Sequence, residues 1–150
     1  VKLKPGKRDE RGSMTVFVVL WSLVIVMVAA LVIDVGLAIS QRERAANLAD
    51  QAARAEAQDL NTATLRQNGT VQIVDDGCLR ASTYLADAAN SIHYGTATLD
   101  TSAGDGCTFA AAGDAVTVSV DLTYSPFVFD LFGGTVTVNE TGTATAATGN

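Results

Sequence analysis

Residues 14–33 read MTVFVVLWSLVIVMVAALVI, twenty positions without a charge and with only Thr15 and Ser22 outside the apolar set. A helix of that length, rising ~1.5 Å per residue, covers roughly 30 Å, the hydrocarbon thickness of a bilayer. Everything after Ile33 is thereby confined to one side of a membrane. The run holds seven Val and two Ile, residues that favour strand in water. Length decides against strand, since strands usually run ~5–6 residues and no turn signal interrupts this stretch. Thirteen of its residues are Val, Ile, Leu or Phe. At ~−0.3 to −0.6 kcal/mol each they favour insertion by roughly 4 to 8 kcal/mol. The competing reading is a cleaved secretory signal, whose apolar core is usually ~7–15 residues long. A cut after Ala38 or Ser40 would serve it, but neither position is well marked.

The flanks set the expected orientation. Lys2, Lys4, Lys7, Arg8 and Arg11 precede the run, and only Arg42 and Arg44 lie close behind it. An excess of basic residues marks the cytoplasmic side. The expectation is a single-pass protein of the bacterial cell envelope, N-terminus in the cytoplasm and C-terminal body extracytoplasmic. Charge is split accordingly: residues 1–12 carry five basic and two acidic groups, and residues 13–150 carry five Arg and fourteen acids. A body at net −9 argues against nucleic acid as a partner, and its plainest use is solubility.

The two cysteines, Cys78 and Cys107, both fall in that outer body, where disulfides persist. A bond between them closes a loop of about 30 residues and stabilises a small domain by roughly 3–4 kcal/mol in the chain-entropy model. Two free thiols are the alternative. Two Cys and one distant His, His93, are too few for a zinc site, and neither a metal nor a cofactor is expected. The acids are scattered, His93 has no marked nucleophile, and Gly133-Gly134 lacks a phosphate-loop context. The sequence reads as a protein without enzymatic chemistry. Asn68-Gly69-Thr70 and Asn139-Glu140-Thr141 match the glycosylation sequon, a pattern that often arises by chance.

Residues 34–60 hold no Pro and one Gly and are rich in Ala, Gln, Glu, Arg and Leu, all strong helix formers. One helix is therefore expected from Met14 to Leu60. Ala45, Ala49, Ala53 and Ala57 recur every fourth residue, a stripe that lets another element approach closely. Plain helix propensity is the competing explanation. Asn61–Gly69 reads as a polar connection, Val71–Val74 as a possible short strand, and Cys78–Asn90 as a second helix. Beyond it the pattern is β. Ile92–Leu99 and Cys107–Ala110 are weak strands. Val116, Val118, Val120, Leu122 and Tyr124 alternate with polar residues, as a strand with one buried and one wet face requires. Residues 135–146 alternate again. Between these last two, Phe127, Phe129 and Phe132 crowd one connection, which either folds over the sheet as core or forms an exposed apolar tip. Core is the expectation, because the body has few other aromatics.

The organisation is a basic leader (1–12), a transmembrane helix (13–33), its extracytoplasmic continuation (34–60) and an α+β head with a second helix and an antiparallel sheet (61–150). Arg11-Gly12-Ser13-Met14-Thr15-Val16, the apolar run, Asp34-Val35-Gly36 and then Ala45-Ala46-Asn47-Leu48-Ala49-Asp50-Gln51-Ala52-Ala53 together resemble the N-terminal module of TadE/TadG-like proteins. Those serve the Tad (Flp, type IVc) pilus. Tyr124-Ser125-Pro126-Phe127 and the alternating Thr, Val and Ala after it are similar to the end of TadE-type minor pilins.

The resemblance implies a type IV pilin-like shape and a role as an accessory subunit, either a minor pilin or an assembly factor. Its partners would be the lipid bilayer, other pilin or Tad-machinery subunits and a prepilin peptidase. That peptidase would cut between Gly12 and Ser13. Pilins usually carry Glu at the fifth mature position, where it pairs with a neighbour's N-terminus; here that place is Phe17, which favours an accessory over a major subunit. The alternative is an unrelated single-pass protein with an extracytoplasmic binding or adhesive domain.

Overall fold

The computed structural model describes residues 11–89, 95–102, 104–130 and 133–146. Helix α1 (Arg11–Ala57) runs unbroken for 47 residues. Up to Ile39 its large apolar side chains are mostly more than half exposed, which fits a surface whose solvent is lipid. The helix is long and apolar enough to cross a membrane. From Gln41 onward one face is buried, so the same helix that carries the apolar run also forms a wall of the head.

Helix α2 (Thr62–Asn68) occupies most of the segment expected to be a polar connection. Both of its ends are encoded. The Asn61 side chain accepts from the Ala63 and Thr64 N–H groups, and Gly69 closes the helix at φ 68°, the left-handed conformation glycine adopts freely. None of its residues is buried, so the caps and not packing define it. Residues 71–74 form no strand. Ile73 makes a single bridge to Leu60 and is buried, while its N–H donates to the Gly113 carbonyl and that of Val74 to Asp59. Long-range loop contacts satisfy this backbone in place of a ladder. Helix α3 (Leu79–Ala89) buries Ala81 and Leu85.

Four strands form one antiparallel sheet: β1 (Thr96–Leu99), β2 (Cys107–Phe109), β3 (Ala115–Tyr124) and β4 (Val136–Thr145). β3 is central. Its whole length pairs with β4, from Ala115↔Thr145 to Tyr124↔Val136. Along its other edge β2 and β1 lie end to end, Cys107↔Val118 and Leu99↔Val120 marking where one gives way to the other. Val116, Val118, Val120, Leu122 and Tyr124 are buried on one face of β3, and the intervening residues are only half-buried. The opposite face is a field of hydroxyls, with Thr117 bonded to Thr143 and Thr123 to Thr137, each at 2.9 Å. The fold is therefore α+β in two layers, α1 lying over β3 and β4 and α3 over β1.

The aromatic connection departs from expectation. A short turn of helix, α4 (Phe127–Asp130), packs against α1, and Phe127 is 68% exposed instead of forming head core. Phe132 and His93 lie outside the described residues.

Candidate functional site

The most constrained region is the seam between α1 and the sheet. Gln41, Ala45, Ala49, Ala52 and Glu56 follow one another at three- or four-residue spacing, and all are buried, as one face of a helix demands. Ala53 is also fully buried, and Ala57 nearly so. The small side chains bring the helix backbone close to β4. At Gly142, paired with Val118, an added Cβ would fall well inside 3.0 Å of the Ala49 carbonyl group and the Asp50 nitrogen. Only glycine fits there. Beside this contact Arg42 Nε pairs with Glu140 Oε1 at 2.6 Å. Arg42 is largely exposed, and such surface pairs contribute ~0–1 kcal/mol.

The far end of the seam carries an acid. Glu56 is fully buried; its Oε2 accepts from the Ala81 N–H at 2.9 Å, and its Oε1 has no hydrogen-bond partner among the described residues. That carboxylate satisfies a donor in the first turn of α3, where orphan N–H groups and the helix dipole favour an acceptor. Burial raises its pKa above the ordinary value of 4.5, and nearby Asp76 raises it further, while the Ala81 and Arg80 amides oppose the shift. Asp76 itself accepts from the Leu79 N–H at 3.3 Å.

The disulfide lies at the same corner. Cys78, fully buried just before α3, is bonded to Cys107 in β2, with Cα atoms 6.0 Å apart. It ties the start of α3 to the sheet edge that β4 leaves open. Next to it a polar cleft of about 500 Å³ is lined by Asp59, Asp76, Arg80, Tyr84 and Asp87 among others. Arg80 pairs with Asp59 at 2.9 Å, and Tyr84 donates to Gln51. Arg80 and Asp59 are thus engaged with each other, and no group of acids, His or Cys suited to a metal occurs among the described residues.

A second junction ties anchor to head. Asp34 Oδ1 accepts from the Phe127 N–H at 2.7 Å and Oδ2 from the Val128 N–H at 2.9 Å. Both carboxylate oxygens thus engage the first turn of α4. At the other end of the anchor, Gly12 and Ser13 lie in the first turn of α1. Phe17 packs edge-on against Trp21, ring centroids 6.2 Å apart, on the exposed apolar surface.

Sequence reading singled out Ala45, Ala49, Ala53, Ala57, Cys78 and Cys107, and the structure brings them into one hydrophobic core. Gly12 and Ser13 stand apart from it. It missed Glu56, Gln41, Gly142 and Asp34. Gln41 was findable by continuing the Ala register one turn back from Ala45, and Glu56 by its place three residues after Ala53 on the same face. Gly142 and Asp34 carry no local signal of their partners, each 93 residues away in the chain. No curated protein and no solved structure matches the chain. Residues 12–59, which take in the lipid-length run, Asp34 and the buried Ala face, match the Tad family, described as "Putative Flp pilus-assembly TadE/G-like".

Proposed function

We propose that this chain is a membrane-held accessory subunit of a Tad/Flp pilus or related secretion apparatus, acting as a minor pilin or an assembly factor. The family match over residues 12–59 carries the reading. It covers the segment that serves both as anchor and as a wall of the head, so the resemblance falls on the structural backbone of the molecule. The continuous passage of α1 from lipid-type surface into the core supports a pilin-like use, in which the helix both holds a subunit in the bilayer and carries its head. The five basic residues ahead of the run support a cytoplasmic N-terminus and an extracytoplasmic head. The role is architectural and not catalytic, with other pilin or Tad-machinery subunits as partners.

The test is deletion of the gene in its native host with complementation. Loss of piliation, restored by the wild-type chain, is the expected result; normal piliation in the deletion strain refutes the reading. N-terminal sequencing of membrane-extracted protein then separates the two roles. A chain starting at Ser13 has met a prepilin peptidase between Gly12 and Ser13 and is competent as a minor pilin, whereas one that retains Lys2–Lys7 stays at the membrane as an assembly factor. Protease added to wall-stripped cells should cut after Leu60; protection until lysis would reverse the orientation.

A further inference from the structure

In the connection between β3 and β4, the turn α4 lies beside the apolar part of α1. Phe127, Val128 and Asp130 form one wall of an apolar cleft of about 420 Å³, and Leu23, Val26, Met27 and Ala30 of α1 form the other. Those four residues belong to the uncharged run. At ~1.5 Å per residue they lie roughly 5 to 15 Å before Ile33 along the helix. The polar boundary is later still. After Asp34 the exposed apolar surface resumes at Val35 and Ile39, and the first basic residue, Arg42, stands about 12 Å beyond Asp34. If α1 spans a bilayer whose hydrocarbon ends between Ile33 and Gln41, the α1 wall of the cleft lies within it, and Asp130 marks its polar rim.

A connection this short at that depth is tolerated only if its backbone polar groups are satisfied inside the protein, since a single helical turn leaves its first N–H groups unpaired. Pro126 has no N–H. Those of Phe127 and Val128 are taken by Asp34, and that of Asp130 by the Pro126 carbonyl at 2.7 Å. An ionisable residue between apolar neighbours is costly unless paired, and these amides are the pairing. Asp130, exposed at the rim, sets the polar edge of the segment. Phe127 meanwhile remains 68% exposed, next to a helix surface that is itself apolar and exposed.

We propose that residues 126–130 of the β3–β4 connection are a second membrane contact, lodged in the leaflet on the head's side with Phe127 against acyl chains. The occupant of the cleft is lipid, because the cleft is continuous with the anchor's own lipid surface. The inference rests on α1 spanning a bilayer and not on the pilus reading; it holds in either orientation.

Trp21 is the single tryptophan, so the wild-type chain reports on the anchor and a Trp21→Phe, Phe127→Trp variant reports on the connection. Each full-length chain is placed in phosphatidylcholine nanodiscs carrying acyl chains brominated near the ester or near the chain centre. Formation of the Cys78–Cys107 bond checks that the variant head has folded. The expected result is that both tryptophans lose most of their emission to bromine, position 127 more to the shallow label, while aqueous iodide quenches neither. Iodide quenching at position 127 without bromine quenching, with Trp21 still quenched in the wild type, overturns the proposal. Silence toward both quenchers at position 127 would mean a protein surface fills the cleft and also overturns it. Absence of bromine quenching at Trp21 would remove the anchor, and the proposal with it, leaving the pilus reading to its genetic test.

Discussion

Gly142→Ala should separate the helix from the sheet. The added methyl would meet the Ala49 carbonyl group and the Asp50 nitrogen well inside 3.0 Å, a separation real Cβ atoms essentially never show. Those atoms are helix backbone, not the end of a flexible side chain, so no rotamer change relieves the clash. Either α1 withdraws or β4 buckles. A gap of even ~0.5–1 Å forfeits a quarter to a half of each dispersion contact across it. That loss would spread over Ala45, Ala49, Ala52 and Ala53, all fully buried. We expect a cost of about 3 kcal/mol, the upper part of the overpacking range. For a head of roughly 100 residues, where 1 kcal/mol shifts Tm by ~4–8 °C, the melting point should fall by roughly 12–24 °C. Calorimetry of the full chain in nanodiscs reads this directly.

Two companions sharpen the test. Gly36→Ala meets nothing within 4 Å and should cost nothing, since alanine is the better helix former. Adding Ala49→Gly to Gly142→Ala should not rescue stability, because the clash is with the backbone of residue 49. A Gly142→Ala chain that melts with the wild type would refute the seating of α1 on β4, and rescue by Ala49→Gly would refute the backbone origin of the contact.

Ala49→Leu should destabilise the head itself by ~1–3 kcal/mol, because Ala49 is sealed beneath the chain's own sheet; a variant that loses partners while melting normally would contradict this. Replacing Cys107 by Ser opens a loop spanning 29 positions and should cost about 3.5 kcal/mol by chain entropy; non-reducing peptide mapping should recover the Cys78–Cys107 pair, and alkylation of both thiols in native protein would deny it. Glu56→Gln keeps an oxygen for the Ala81 N–H and removes the titration. The native pKa is raised, so the group's contribution to stability is complete below the unfolded value of 4.5 and fades as pH rises through the native value. Melting curves taken from about pH 4 to about pH 8 should therefore show the variant gaining on the wild type as pH increases, and parallel curves would count against the shift.

Local pattern made much of this protein legible. An uncharged run of bilayer length reads as one helix, and nothing between Met14 and Ala57 interrupts it. The strict alternation from Val116 to Tyr124 specified which face of β3 is buried, because a one-residue slip would put every Val in water. Helix α2 was missed, although Asn61 and Gly69 cap it, because a polar stretch without an apolar stripe reads as a loop. The aromatic connection misled for a related reason. Phe127 is apolar in either setting, and only its position beside the anchor shows that its surroundings are not the head core.

Tertiary structure decided what each signal faces. The Ala stripe announced a close neighbour but not which one; the fold supplies β4, because Gly142 falls in register with Val118 and presents bare backbone to Ala49. Glu56 looked like one more solvated acid until α3 brought its first-turn amides to it. Asp34 looked like the end of the lipid run, yet both its oxygens hold a turn that arrives 93 residues later. Periodicity is written by each segment's own exposure, so it survives in sequence. Pairings across long loops depend on how the sheet closes over the helix, and no local pattern records them.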